Sequence, residues 1–381
     1  MTAALSLEDR TSLADALRKA LQERYGFATG RRQAMSDGPD RLPGVTHLLA
    51  ELGLCGLMLP ESAGGFGGFG GAAVDMQRIQ RELGRALVVS PWFDSWLAAQ
   101  VVLRAGRQDA LLAALSDGSL SMALAVQEDC GLGKPESPPT SARRDGRGWC
   151  IDGAKSCVFH AGAVDRLLLR ANVAGEGEAW FVVVAEQAGV RQRRSYRLVD
   201  GSWAADLAFE GARAERLAPA EAVEAAGGLG AIGLLQAAGR SAELLGACEA
   251  ALELCVQHLR TRKQFGQPLG EYQSLRHRVA EMYIALEQIR SAAEMAAEAL
   301  EMHEQGDAAS ARRRSAQARL VASEAATWVL QQAIQLHGGM GMTEELAVGH
   351  YYRRLLVLIA VSGGAAEALA SLMSKCERHG H

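Results

Sequence analysis

The sequence lacks any apolar run long enough to span a bilayer. Residues 1–26 contain Glu8, Asp9 and Asp15 and no continuous apolar core, which excludes a secretory signal peptide. The 7 cysteines are scattered without a C-x-x-C pair, so neither a disulfide framework nor a zinc site is indicated. The 40 basic and 44 acidic side chains nearly balance, which gives no reason to expect nucleic acid as a partner. We therefore expect a cytoplasmic protein with no metal and no membrane span.

What the sequence does contain is a large apolar fraction arranged in three zones. Hydrophobic residues make up 49% of the 381 positions, enough for a sizeable core. Residues 1–120 are rich in alanine and leucine at helical spacing. They are interrupted by the glycine-rich stretch 59–75, which fits no phosphate-binding fingerprint and is interpreted as a mobile surface loop. Residues 121–225 consist of short apolar or alternating runs, and residues 226–381 are helical again. We predict three domains with these boundaries.

The middle zone is predicted to be a small antiparallel β domain. Its apolar runs are short and lie at 121–126, 148–161, 166–171 and 180–186. Asp152-Gly153 divides the second run, and this dipeptide is a strong signal for a two-residue hairpin turn.

The last zone carries the clearest helical pattern. Apolar residues recur at alternating steps of four and three from Leu275 to Leu300, which predicts the seam of a helix packed in a bundle. Further helices are predicted at 229–262, at 308–336 and as a group within 344–376. Four helices in antiparallel array are the natural arrangement. The sequence therefore predicts a mainly α protein with a central β domain.

Glycines interrupt these helices in two places. QLHGGMG at 335–341 follows a run that looks helical, and VSGGAA follows at 361–366. Because glycine inside a helix costs about 1 kcal/mol relative to alanine, these residues need a reason. They form helix caps and turns, or they allow close backbone approach to a bound phosphate or ring. Taken alone, Arg262 and Gln273, in the turn between two bundle helices, are consistent with ordinary surface residues.

Taken together, three motifs resemble the acyl-CoA dehydrogenase family. They are LPESAGGFGG near residue 60, RTRKQFGQPLGEYQSL at 260–275 and QLHGGMGMTEELAVGHYYRR at 335–354. The resemblance covers almost the whole chain, and the last two motifs are specific in residue type, order and separation. It implies an α-helical N-terminal domain, a central β domain and a C-terminal four-helix bundle, in agreement with the zones above.

The resemblance implies an FAD site. In this family an arginine reaches the FAD pyrophosphate, an aromatic ring packs on the cofactor and a glutamine adds a polar contact, which places these roles on Arg262, Phe265 and Gln273. A segment of a neighbouring subunit approaches the same FAD, and here it would contain Gln335, Gly338 and Gly339. A guanidinium suits a diphosphate because it forms charge-assisted, bidentate hydrogen bonds. Glycines let backbone N–H groups come near phosphate oxygens.

The resemblance also implies the reaction. The substrate is an acyl-CoA thioester, from which a carboxylate removes the α proton while the flavin accepts the β hydrogen as hydride. Hydrogen bonds to the thioester oxygen stabilise the developing enolate. Electron-transfer flavoprotein or a similar carrier then reoxidises the flavin.

The chain departs from the family at the catalytic base. Most members carry the glutamate at the position of Ser362, and some carry it on an earlier helix, at about Gln236. Neither of these side chains is a carboxylate base. Glu243 lies two turns beyond Gln236 and is either a displaced base or, as we expect, a surface charge. Glu345 and Glu367 are interpreted as structural, and the backbone N–H of Ser362 remains a candidate oxyanion donor.

The β domain departs from the family as well. The stretches that would flank the flavin correspond to 127–129 and 155–159, where Cys157 replaces a tryptophan expected to cover the ring. With RYGF at 24–27, the pattern most resembles the small subunits of two-component acyl-CoA dehydrogenases of the pimeloyl-CoA and steroid side-chain type. In such pairs the two chains differ, and the partner supplies the glutamate.

The resemblance therefore implies an FAD-dependent acyl-CoA dehydrogenase subunit. It would act as a homo-oligomer or as a heterotetramer with a glutamate-bearing homologous subunit. The alternatives are a catalytically inactive or non-dehydrogenase flavoprotein on the same fold, and an unrelated helical scaffold whose motifs are coincidental.

Overall fold

The computed structural model describes residues 7–41, 43–57, 59–65, 72–107, 110–128, 130–131, 134–135, 139–219, 228–362 and 364–376. The chain divides into two compact units, each assembled from segments that are distant in the sequence. The first unit includes residues 32–70 and 89–232, and the second includes residues 6–31, 71–88 and 233–381. The division into three domains at 1–120, 121–225 and 226–381 stays a prediction. The centre of the glycine-rich stretch, at 66–71, lies outside the described residues.

The architecture is mainly helical with a central β region, which confirms the predicted fold class. In chain order the α-helices are α1 Leu7–Arg24, α2 Arg32–Ser36, α3 Gly44–Glu51, α4 Ala72–Arg85, α5 Trp92–Arg104, α6 Ala110–Asp117, α7 Gly228–Thr261, α8 Gln273–Glu304, α9 Ala308–His337, α10 Ala347–Val361 and α11 Gly364–Cys376. The strands are β1 Met122–Ala125, β2 Cys130–Gly131, β3 Lys134–Pro135, β4 Ser141–Arg144, β5 Trp149–Phe159, β6 Arg166–Val173, β7 Gly177–Val184, β8 Val190–Arg197, β9 Trp203–Pro219, β10 Lys263–Gln264 and β11 Gln267–Pro268. A π-helix occupies Phe27–Arg31, and short 3₁₀ turns include Leu269–Glu271 and Gly338–Met342.

The first unit is built around a seven-stranded sheet. Its strands follow the order β1-β6-β4-β5-β9-β7, with β8 added on β9, and β6 also pairs with β7. Strands β6, β4, β5, β9 and β7 therefore form a closed ring, which leaves none of these five with an unpaired edge. The pairings are antiparallel except for β1 with β6 and β4 with β6, which are parallel. Buried apolar side chains from these strands fill the interior, among them Ile151, Phe181 and Phe209.

The predicted hairpin at Asp152-Gly153 is wrong. Both residues lie inside β5, which continues from Trp149 to Phe159. A Cβ on Gly153 would lie 2.7 Å from the Cα of Thr140, so this glycine serves a close strand contact and not a turn. The Asp152 carboxylate accepts a hydrogen bond from the Gly211 N–H at 2.7 Å, which fixes it to β9. The alternation of apolar residues and the Asp-Gly dipeptide carry no information about such contacts between distant strands.

The second unit is built around helices α7 to α10. The seam predicted on α8 is confirmed: Met282, Ile289 and Ala296 are buried, and α8 shares its core with apolar residues of α7, α9 and α10. Helix α9, which precedes the glycine turn, is capped by Asp307, whose carboxylate accepts from the Ser310 N–H at 3.0 Å. Of the helices in the described ranges, none combines the length and apolarity needed to cross a bilayer.

Helix α4 crosses α7 with backbone against backbone. A Cβ on Gly84 would overlap the carbonyl oxygen of Glu243, and a Cβ on Gly246 would overlap that of Arg81. Each helix therefore needs a glycine where the other passes. The close crossing lets Arg81 donate two hydrogen bonds, both of 2.7 Å, to the buried carboxylate of Glu249. This bidentate geometry satisfies a charge that would otherwise be costly to bury.

Candidate functional site

The turn after α7 presents an aromatic ring to solvent. Strands β10 and β11 form a hairpin with Phe265 (φ 53°) and Gly266 (φ 88°) at its tip, the positive φ values that a type I′ turn requires. A bulky residue is strained in this conformation. Nevertheless the Phe265 side chain is 90% exposed, and its ring meets that of Tyr272 edge-on with centroids 6.5 Å apart. The hairpin thus presents the Phe265 ring to solvent and not to the core of the unit.

Arg262 lies just before this hairpin on a fixed backbone. Its N–H donates to the His258 carbonyl and its own carbonyl accepts from the Leu269 N–H, each at 2.8 Å. Its side chain is exposed and forms no ion pair with any residue that the structure describes. Gln273, the first residue of α8, is exposed as well. Both side chains keep their polar groups available for a ligand.

The glycine turn after α9 is open on its outer side. Gly338 has φ 60°, which favours glycine. A Cβ on Gly339 would meet nothing within 4 Å, so packing inside this chain does not require glycine there. Gly341 differs, because a Cβ on it would lie 2.7 Å from the Ile334 carbonyl oxygen. Gln335, on the last turn of α9, is exposed. Packing within the chain therefore does not account for the glycine at position 339.

Two histidines bring these segments to the same end of the bundle. The rings of His258 and His337 have centroids 4.6 Å apart and are tilted by 33°. His258 lies one turn before Arg262, and His337 immediately precedes Gly338. One chain therefore carries both segments at one end of its bundle. The sequence-based expectation that they reach a cofactor from two polypeptides is not required by this geometry.

The side chains at this end fit a dinucleotide such as FAD. An exposed guanidinium without an ion pair among the described residues suits a diphosphate, and an outward aromatic ring suits stacking on a planar group. Glycine amides without a Cβ in front of them suit phosphate oxygens. No group of three or more His, Cys, Asp or Glu side chains within the described ranges is arranged to hold a metal.

Ser362, at the expected position of the base, caps the end of α10. Arg240 donates to the Val361 carbonyl at 3.0 Å and to the Ser362 hydroxyl at 3.1 Å. Arg319 donates to the Ser362 carbonyl at 2.7 Å. The Ser362 N–H donates to the carbonyls of Leu358 and Ile359, so the idea that it is free to act as an oxyanion donor is wrong. The position carries guanidiniums and helix carbonyls, and no carboxylate of its own.

The other candidate positions also differ from a free base. Gln236 is half-buried one turn before Arg240 on the same helix. Glu243 is only 5% exposed, and its carboxylate accepts from the Arg354 Nε at 2.7 Å. Our expectation that Glu243 is a surface charge is wrong, because α4 covers this part of α7 and Arg354 neutralises the carboxylate. The exposed Glu345 and Glu367 stay interpreted as structural.

In the first unit, the counterpart of the flavin-flanking stretch is tightly bound. The Lys155 ammonium is buried and pairs with Glu128, whose other oxygen accepts from the Thr140 hydroxyl at 2.9 Å. Burial lowers the pKa of Lys155 and raises the pKa of the Cys157 thiol, which sits in a strand bulge at φ 53°. Cys157 is thus not an activated thiolate. Asp129, part of the same comparison, lies outside the described residues.

The sequence reasoning missed the arginines that hold Ser362 and Glu243, and it missed the contact between the two histidine rings. One signal was available for Arg240, which is the sole charged residue between Glu224 and Glu243 in an apolar helical stretch. A lone cation in an apolar stretch needs an acceptor on another element where it is partly buried. The contact of His258 with His337 spans most of the bundle sequence and left no comparable local signal.

Comparisons with known proteins agree with the motifs. The N-terminal domain of the acyl-CoA dehydrogenase family matches residues 8–116, and its C-terminal domain matches residues 234–375. The acyl-CoA dehydrogenase IpdE2 of Mycobacterium tuberculosis is 28% identical over 350 residues, which cover 91% of each chain. Among solved structures, the steroid ACAD Tcur3481-Tcur3483 has a TM-score of 0.83 at 26% identity, with 98% of each chain covered. The ChsE4-ChsE5 complex from Mycobacterium tuberculosis has a TM-score of 0.83 and 98% coverage of each chain; at 22% identity it supports the fold alone.

The two family domains match residues in the N-terminal and the C-terminal parts of the chain. The relative matches over 91% of the chain. Both findings agree with the motif segments and with the fold. The chain belongs to the acyl-CoA dehydrogenase family of flavoprotein oxidoreductases, whose members act on CH–CH groups.

Proposed function

We propose that this chain is an FAD-binding subunit of a two-component acyl-CoA dehydrogenase, in which a homologous partner supplies the catalytic glutamate. The observation that carries the proposal is the contrast between two sites of the second unit. The cofactor-type residues Arg262 and Gly339 are present and exposed, whereas the position of the base holds Ser362 bound by Arg240 and Arg319.

The cofactor role is assigned to one end of the bundle. Bound FAD would supply the hydride acceptor for dehydrogenation of the acyl chain. Arg262 would bind the diphosphate, Phe265 would pack on the cofactor and Gln273 would add a polar contact. Gln335, Gly338 and Gly339 would approach the same cofactor with backbone N–H groups. The exposure of these residues and the missing Cβ at Gly339 support the assignment.

The partner is proposed from chemistry and from the relatives. A proton on the carbon next to a thioester carbonyl needs a base, and the candidate positions on this chain hold serine, glutamine and an ion-paired glutamate. Two similar structures carry paired names, Tcur3481-Tcur3483 and ChsE4-ChsE5. A second, homologous chain with a free carboxylate would complete the reaction. Electron-transfer flavoprotein or a similar carrier would accept the electrons.

The test compares the chain alone with the chain co-expressed with a glutamate-bearing homologue. Native mass spectrometry measures FAD and partner chains, and anaerobic addition of an acyl-CoA series measures flavin bleaching. We expect bleaching by the complex and none by the chain alone. Bleaching by the chain alone would refute a partner-supplied base.

The second candidate is a catalytically inactive or non-dehydrogenase flavoprotein on the same fold. The hydrogen bonds from Arg240 and Arg319 to Ser362 favour this candidate as much as they favour a partner. Neither proposal needs a base on this chain. A complex that contains FAD and remains unbleached by every acyl-CoA would support this candidate. A chain that copurifies with neither FAD nor a partner would contradict both.

A further inference from the structure

We infer that His258 and His337 are positioning residues, whose adjacent rings hold the Arg262 turn and the glycine turn together so that both segments bind one dinucleotide. The inference rests on the proposed function, because it takes FAD as the ligand. It concerns side chains to which the family motifs give no role.

The first step is the fixed orientation of His337. Its Nδ1 lies 2.8 Å from the Ala333 carbonyl oxygen. Because a carbonyl only accepts, Nδ1 carries the proton and donates this bond. The Cys255 sulfur lies 3.9 Å from the same nitrogen, and the residue is 8% exposed. The ring is therefore held by its own helix, one residue before Gly338.

The second step is the nature of the contact with His258. Among the residues that the structure describes, no carboxylate pairs with either imidazole. The charged side chain that acts on His258 is that of Arg262, which is positive. Burial lowers the pKa of His258, and the neighbouring His337 and Arg262 lower it further. The contact between the two imidazoles is thus a contact between aromatic rings, 4.6 Å apart at their centroids.

The third step concerns what the rings connect. Arg262 is tied to His258 through the backbone bond from its N–H to the His258 carbonyl, at 2.8 Å. Gly338 is tied to His337 by the chain itself. Each turn has its own backbone bonds, but the ring contact joins α7 to α9 at this end with centroids 4.6 Å apart. Loss of the ring leaves the backbone bonds of each turn in place and removes one of the contacts between α7 and α9 at this end, where Cys255 also meets His337. A ligand that needs both turns then pays the cost of aligning them.

The experiment is a double-mutant cycle on FAD affinity, measured by fluorescence titration of FAD-depleted protein prepared as the complex described above. An aromatic pair of this kind corresponds to about a two- to tenfold change in an equilibrium constant. We therefore expect His258→Ala to raise the Kd for FAD about fivefold, and His258→Phe to restore it, because phenylalanine keeps the ring contact. His47→Ala, an exposed histidine on α3, serves as the matched control and should leave the Kd unchanged.

The cycle separates positioning from mere stability. If His258 acts through Arg262, then His258→Ala should weaken FAD binding much less in the Arg262→Ala background than in the wild type. Equal effects in both backgrounds, with a lowered midpoint of thermal unfolding, would overturn the inference. A Kd unchanged by His258→Ala would overturn it too, and so would a His258→Phe variant as weak as His258→Ala. Wild-type protein with no affinity for FAD would overturn the proposed function and the inference together, which distinguishes the two failures.

Discussion

Two helix ends in the second unit carry arginines and use them in opposite ways. At the end of α7, Arg262 is exposed and forms no ion pair with the described residues. At the end of α10, Arg240 and Arg319 donate to the last carbonyls and to the Ser362 hydroxyl. Helix C-termini leave carbonyls unpaired and favour cations, so the second pair is satisfied by the protein itself. The difference separates a guanidinium available to a ligand from guanidiniums that serve as a cap.

The largest effect is expected at Glu243, the remaining carboxylate that could replace the missing base. A catalytic Glu243 would contradict the comparison of the two helix ends. Glu243→Gln removes the negative charge from a largely buried ion pair with Arg354, so we expect the free energy of unfolding to fall by about 3–5 kcal/mol. Turnover per folded complex should persist, because Arg354 holds this carboxylate away from proton transfer. Denaturant titration and flavin bleaching check these expectations, with the exposed Glu294→Gln as control. A stable variant that has lost bleaching would identify Glu243 as the base.

The second effect tests the arginine that is left for a ligand. Arg262→Ala removes charge-assisted bonds to the diphosphate, so FAD affinity should fall by about 1.5–3 kcal/mol, roughly 10- to 100-fold. Arg262→Lys should recover part of the loss, because lysine keeps the charge without the planar fork. The ratio of FAD to protein and the Kd measure the change. Unchanged FAD occupancy in Arg262→Ala would remove the diphosphate from this end of the bundle.

The third effect tests the capping arginines by the same kind of substitution. Arg319→Met keeps most of the side-chain volume and removes the 2.7 Å bond to the Ser362 carbonyl. We expect a loss of about 1–3 kcal/mol in the free energy of unfolding, because a partly buried carbonyl loses a charged donor, with FAD affinity unchanged. Denaturant titration beside FAD titration shows both. If Arg319→Met weakens FAD binding as strongly as Arg262→Ala, the distinction between the two helix ends is lost.

The smallest effect is the pH dependence contributed by histidine near the start of α10. His350 is buried, and burial followed by the charge of Arg353 lowers its pKa below 6.5. The unfolded chain therefore binds the proton first, so this stability is complete above pH 6.5 and is lost as the pH falls toward the folded pKa. The folded-state pKa of His258 is shifted in the same direction.

We expect a decrease of no more than about 1 kcal/mol per histidine between pH 6.5 and 5, measured as the urea midpoint. His350→Phe should flatten the slope. Glu344, whose pKa the Arg353 guanidinium lowers, loses its contribution only at still lower pH. A wild-type midpoint that stays constant from pH 5 to 7 would contradict the lowered histidine pKa values.

Where local periodicity determines structure, the sequence was sufficient. The alternating steps from Leu275 to Leu300 predicted α8 and its buried face. For α9, the predicted end at Leu336 is one residue from the observed end at His337. The turn at Arg262 and the turn at Gly338 both follow long helices, as the sequence predicted. Apolar spacing along a helix reports which face is buried, because burial is the dominant favourable term.

Where long-range partners determine structure, the sequence was not sufficient. Glu243 reads as one charge among many on a helix, and its burial depends on Arg354 and on the crossing of α4 at Gly84. Asp152-Gly153 reads as a turn, and its place inside β5 depends on Thr140 and Gly211. The side chains that cap Ser362 lie 122 and 43 positions away along the chain. Propensity and spacing carry no record of such partners.

The close crossing of α4 and α7, at Gly84 and Gly246, has a consequence for where this polypeptide can be divided. The C-terminal half looks like a self-sufficient module in sequence, yet residues 71–88 and 6–31 belong to its compact unit. A fragment that starts at residue 226 would lose Arg81 and Arg85, and Glu249 would keep only Arg290 of its three cationic neighbours. The N-terminal segments 6–31 and 71–88 therefore belong to the compact unit that would bind the nucleotide. A truncation at residue 226 would divide this unit.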